Sequence, residues 1–214
     1  FDGIEAENIG KAVLILILWY IVGIIGFMLP PVPGPPLYLF GGVVVVRAFD
    51  NCGGDGFWIG VFIVCIFSLI LKLNACAIQQ KIIGESLGSQ AWVKAACGVQ
   101  TPFIRAVELI LTRPGPSMGK IAILCGGPDW PTSVLTGLLK CDLWEMLFGT
   151  CPMILLIVPT VLTGAFFLKE DAIYATIGGM LFVMSLLICA FMGLCATYAV
   201  QNELEAHPNF LRIK

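Results

Sequence analysis

Two apolar stretches of this chain are interrupted by proline and glycine where a membrane-spanning helix would continue. The first runs Leu29-Pro30-Pro31-Val32-Pro33-Gly34-Pro35-Pro36-Leu37-Tyr38-Leu39-Phe40-Gly41-Gly42. The second runs Cys125-Gly126-Gly127-Pro128-Asp129-Trp130-Pro131-Thr132-Ser133-Val134-Leu135-Thr136-Gly137. Lipid cannot satisfy free backbone N–H and C=O groups, so non-helical backbone at membrane depth must be covered by protein or line a wet cavity. Broken segments in corresponding places of two halves are also the sequence mark of a transporter-like site.

The lipid setting follows from composition. Of 214 residues, 58% are hydrophobic and 12% charged, against roughly 25% charged in a soluble domain. The net charge of -2 and the lack of any basic run argue against nucleic acid as a partner. Nine cysteines include no Cys-x-x-Cys pair, and the odd count leaves a thiol without an intrachain partner. The expectation is therefore no disulfide framework, no metal site and no cofactor. The single histidine, His207, lies in a polar tail. The chain opens at Phe1 rather than Met, which reads as a processed or partial chain. Its first apolar run lacks a small-residue cleavage site and reads as a membrane helix rather than a signal peptide.

The expected fold class is all-α, a polytopic membrane protein with about four spanning helices and two re-entrant half-helix hairpins. A polar segment, 1–12, precedes a single membrane domain over 13–200, and a polar tail covers 201–214. Spans are expected at Val13–Leu29, Phe57–Leu73, Leu147–Leu168 (kinked at Pro152 and Pro159) and Ala172–Val200. The hairpins fall at about 30–46 and 121–140. The first holds only a short helix, Leu37–Val46, about half the hydrocarbon core in rise. Between the hairpins, 74–120 alternates polar and apolar residues as interfacial amphipathic helices would, with Arg105 on the membrane-contacting face.

The resulting order, with hairpins opening to opposite faces, is that of an inverted repeat. Every lysine and arginine except Arg47 and Lys169 then falls on one side. The positive-inside bias puts both termini on that side, equivalent to the cytosol.

Pro30, Pro33, Gly34, Leu37 and Gly42 resemble the first re-entrant motif of the DedA (VTT-domain, SNARE-associated) membrane proteins. Cys125–Gly137, followed by Leu143-Trp144 and Gly149-Thr150, is similar in layout to that family's second motif. The resemblance covers roughly 13–165. It implies lipid scrambling or flipping, or proton-linked transport, between two re-entrant hairpins. Two positions depart from the motifs. Pro35 stands where the family carries a carboxylate, and Cys125-Gly126-Gly127 lacks the family's arginine.

Asp129 is an acid inside an apolar stretch and reads either as a half-helix cap or as a path-lining group. Thr132 and Ser133 would place hydroxyls and free N–H groups at a helix start, which attracts phosphate. Lys120 and Arg113 stand close enough to that hairpin to meet a lipid phosphate, or to serve as anchoring charges. Gly126, Gly127, Pro128 and Pro131 form the second turn, as Pro30, Pro33 and Gly34 form the first. No paired aspartates, Ser-His couple or zinc motif recommends an enzyme. The expected activity is lipid translocation along a seam between the hairpins, with membrane lipids as partners. The alternative is a non-transporting accessory subunit of a larger membrane complex, with protein partners.

Overall fold

The computed structural model describes the chain except for Phe1, Pro31, residues 87–89, 92–94, 96–100, Pro116 and 208–214. Parts of the expected interfacial stretch and the end of the polar tail thus lie outside the described residues. Among the described residues nine α-helices follow one another. They are α1 (Asp2–Met28), α2 (Gly34–Asp50), α3 (Gly56–Ile78), α4 (Pro102–Thr112), α5 (Met118–Gly126), α6 (Asp129–Leu138), α7 (Leu143–Thr150), α8 (Ile154–Phe166) and α9 (Ala172–Ala206). A π-helix, Gln79–Ser86, continues α3, and a 3-10 turn, Cys151–Met153, joins α7 to α8. No strand occurs among the described residues.

Among the described residues four stretches are long and apolar enough to cross a membrane: Glu7–Met28, Gly56–Ser86, Leu143–Phe166 and Ala172–Ala206. They match the four expected spans. The second is longer than expected. Gln79 and Gln80, which read as surface residues in sequence, are buried, and the Gln80 amide donates to the Cys141 carbonyl at 2.8 Å.

The chain forms two compact units, Phe1–Lys72 with Met153–Ile188, and Leu73–Pro152 with Cys189–Lys214. In the first unit α1 and α2 pair antiparallel. Trp19 Nε1 donates to the Leu37 carbonyl at 3.2 Å, and Asn8 Nδ2 donates to the Asn51 carbonyl at 3.3 Å. The expected short helix, Leu37–Val46, is instead 17 residues long, a rise of about 25 Å. Pro35 and Pro36 fall in its first turn, where the missing N–H has no helical partner to lose. Arg47 and Asp50 lie in its last turn, where Lys169 Nζ meets Asp50 Oδ2 at 3.0 Å. The Asn8–Asn51 contact places the start of α1 and the α2–α3 loop at one end of the unit. They do not face opposite sides, as the charge count assumed.

Each unit holds its proline-broken helix against another helix by glycine. In the first, Gly42 of α2 and Gly164 of α8 face each other. A Cβ on Gly42 would land on the Val161 carbonyl, and one on Gly164 on the Leu39 carbonyl. In the second, Gly137 of α6 faces Gly84 of the π-helix, and a Cβ on Gly137 would land on the Gln80 carbonyl. Glycine is required at such close backbone approach.

The second unit's core is Ala106, Val107, Ile110, Leu111, Ile123, Leu124, Leu135, Met146 and Val200. The apolar face of α4, expected against lipid, is therefore packed against protein. Thr101 starts α4 by accepting from the Ile104 N–H at 3.3 Å.

Candidate functional site: a buried ion pair beside a broken helix

In the second unit, α5 and α6 are 9 and 10 residues long and are separated by Gly127-Pro128. Ser117 caps α5, its hydroxyl accepting from the Lys120 N–H at 3.2 Å. Asp142 caps α7 in the same way, accepting from the Glu145 N–H at 2.9 Å. The two caps bring the third residue of each helix together. Lys120 Nζ meets Glu145 Oε1 at 2.7 Å, with the lysine side chain 3% exposed and the glutamate 27%.

A lysine in the first turn of a helix opposes the helix dipole, and a buried ammonium loses its hydration. Lys120 therefore depends on Glu145. The helices are drawn close by small residues, with the Cys125 thiol donating to the Gly149 carbonyl at 3.4 Å. Beside the pair is a cavity of about 350 Å³ lined by Ser117, Lys120, Ile121, Leu124, Glu145, Phe148 and Gly149. Apart from the ion pair and one hydroxyl its walls are apolar, and Phe148 is 73% exposed.

The remaining expected site residues lie elsewhere. Arg113 Nη2 pairs with Glu203 Oε1 at 2.7 Å, and the same carboxylate oxygen meets His207 Nδ1 at 3.0 Å. Asp129 is the first helical residue of α6 and Pro128 holds the cap position. The cap reading is thereby corrected, since the proline fixes the backbone one residue earlier. A carboxylate in that first turn still suits the helix dipole. Thr132 lines a separate cavity of about 20 Å³ with Gly127, Pro128 and Pro131, room for about one water. Ser133 Oγ bonds Cys76 Sγ at 3.4 Å. Gly126 packs on the α9 backbone at Met192. In the first unit Pro30 and Pro33 are exposed, whereas Gly34 is buried over the Tyr38 ring.

Sequence reasoning found Lys120 and Arg113 but missed Glu145 and Glu203, the acids that hold them. Asp142-x-x-Glu145 has the spacing of a capping box, so the start of α7 was legible although its partner was not. Lys72, which in sequence reads only as the polar end of the second span, is buried with its ammonium 5.5 Å from the centre of the Phe27 ring. Near the ion pair, burial pushes the Cys141 thiol above its ordinary value, Lys120 pulls it down, and Glu145 raises it again. Among the described residues no three His, Cys, Asp or Glu side chains gather as metal ligands would.

The fold and its four apolar helices define an all-helical, multi-pass membrane protein. No protein-family model, curated protein or solved structure matches the chain, and none of them identifies a family for it.

Proposed function

We propose that this protein translocates phospholipid across a bilayer, with the second unit handling the headgroup. The observation that carries the reading is the Lys120–Glu145 pair, its lysine buried at the start of a half-length helix and its glutamate part-exposed, opening on an otherwise apolar cavity. Helices of 9 and 10 residues rise about 15 Å, half the hydrocarbon core. The α5–α6 pair therefore enters and leaves by one face as a re-entrant hairpin, with Gly127-Pro128 at its tip. The longer α1–α2 pair is nearly as deep as the membrane and acts as a scaffold.

Charge at membrane depth is costly and is kept where it serves a path. A headgroup leaving the interface exchanges water for the Lys120 and Glu145 charges while its acyl chains stay in lipid along Phe148. Asp129, Thr132 and Ser133 lie further along the same hairpin, near its tip. The path needs no covalent step.

The test is reconstitution into phosphatidylcholine vesicles with a trace of phosphatidylcholine labelled on a short acyl chain, followed by dithionite bleaching. Bleaching well past half, slowed by Asp129→Asn, is expected. A plateau near half, equal to that of protein-free vesicles, would overturn translocation and leave the accessory-subunit role.

A further inference from the structure

Resting on that reading, we infer that the cavity beside Lys120 and Glu145 is a headgroup site selective for zwitterionic phospholipid, phosphate on Lys120 and ammonium on Glu145. The pair presents one charge of each sign 2.7 Å apart. A ligand that separates the two must replace both contacts: a lone Lys120 ammonium, 3% exposed, is penalised most, and a lone Glu145, 27% exposed, is penalised less. A phosphate joined to an ammonium does so within one headgroup. A headgroup of net negative charge satisfies Lys120 but leaves Glu145 facing another anion. The start of α5 favours the phosphate on the lysine side.

Size and lining point to lipid. About 350 Å³ is near the lower limit of small-molecule pockets, enough for a headgroup and too small for the acyl chains as well. Phe148 on the wall, 73% exposed, continues the apolar lining outward, where chains would lie. A soluble zwitterion has no use for that surface.

The experiment is native mass spectrometry of the whole chain in detergent with equal phosphatidylcholine and phosphatidylglycerol of matched chains. The wild type is expected to retain phosphatidylcholine about fivefold better, the effect of one part-exposed charge contact. Glu145→Gln should reverse the preference. Since that variant strands a buried lysine, Lys120→Met/Glu145→Gln serves as a second probe, removing both charges while keeping the bulk. It should melt as the wild type does and retain both lipids equally.

Equal retention by the wild type, retention of neither lipid, or a preference that survives in the double variant would overturn the assignment. Full displacement of bound lipid by millimolar phosphorylcholine would show a soluble zwitterion as the ligand and overturn it too. Vesicles that scramble both lipids beside a chain that retains them equally would leave translocation standing and remove only the selectivity. Selective retention without bleaching past half would do the reverse.

Discussion

Replacing Gly137 by alanine separates close backbone packing from every local preference of the helix. The added methyl would land on the Gln80 carbonyl oxygen, 2.9 Å from that carbonyl carbon and 2.7 Å from the Gly84 Cα. All these atoms are backbone, so no rotamer change relieves the contact. The π-helix and α6 must move apart by about 1 Å, which forfeits a quarter to half of the dispersion attraction along the gap. It also stretches the bond from the Gln80 amide to Cys141. Overpacking against backbone, which cannot yield by a rotamer change, falls in the upper part of the usual range, about 2–3 kcal/mol, and the helix preference for alanine over glycine returns about 1 kcal/mol. The net expectation is a loss of roughly 1–2 kcal/mol, seen in detergent as a melting temperature lower by about 2–8 °C. Gly179 in α9 has nothing within 4 Å of its added Cβ, so Gly179→Ala should be neutral or slightly stabilising. Equal melting of Gly137→Ala and wild type, or an equal loss in Gly179→Ala, would refute the close approach.

Three further outcomes are expected. Glu145→Gln, which leaves an ammonium buried, should destabilise by about 3 kcal/mol, whereas Lys120→Met should stay within about 1 kcal/mol of wild type because Glu145 reaches water; thermal unfolding of the two variants checks the asymmetry. Alkylation of Cys141 should be slow at neutral pH and quicken only at a pH above that of a free thiol, because burial raises its pKa and keeps it protonated. Kinetics across pH should show Lys120→Gln slowing it further and Glu145→Gln speeding it. Epitope tags placed before Asn8 and between Gly53 and Gly54 should be reached by antibody from the same side of sealed vesicles, since Asn8 bonds Asn51; reactivity from opposite sides would refute the α1–α2 pairing.

The four spans were legible because length and apolarity alone define them. The two breaks were legible because proline and glycine have few helical positions. The length of α2 was not, for two reasons. Pro35-Pro36 looks like a break but is tolerated in a first turn, and Asp50 looks like a loop residue until Lys169 is seen to hold it. The continuation of α3 through Gln79 and Gln80 was hidden in the same way, since Cys141, which accepts from Gln80, lies far along the chain. At the candidate site Lys120 carried a signal as a cation beside a hairpin. Its dependence on Glu145 did not, because a pairing between two helix starts leaves no pattern within either one.

Lipid passage along α5 and α6 requires the Gly127-Pro128 tip to lie inside the hydrocarbon. A fluorophore on Pro128→Cys, in a background freed of native cysteines and reconstituted with lipids brominated at graded depths, measures this directly. Strongest quenching by bromines near the chain ends, together with reactivity of the unlabelled thiol toward a water-soluble reagent, is the predicted result. Strongest quenching at headgroup depth would place the hairpin on the membrane surface and contradict passage through it.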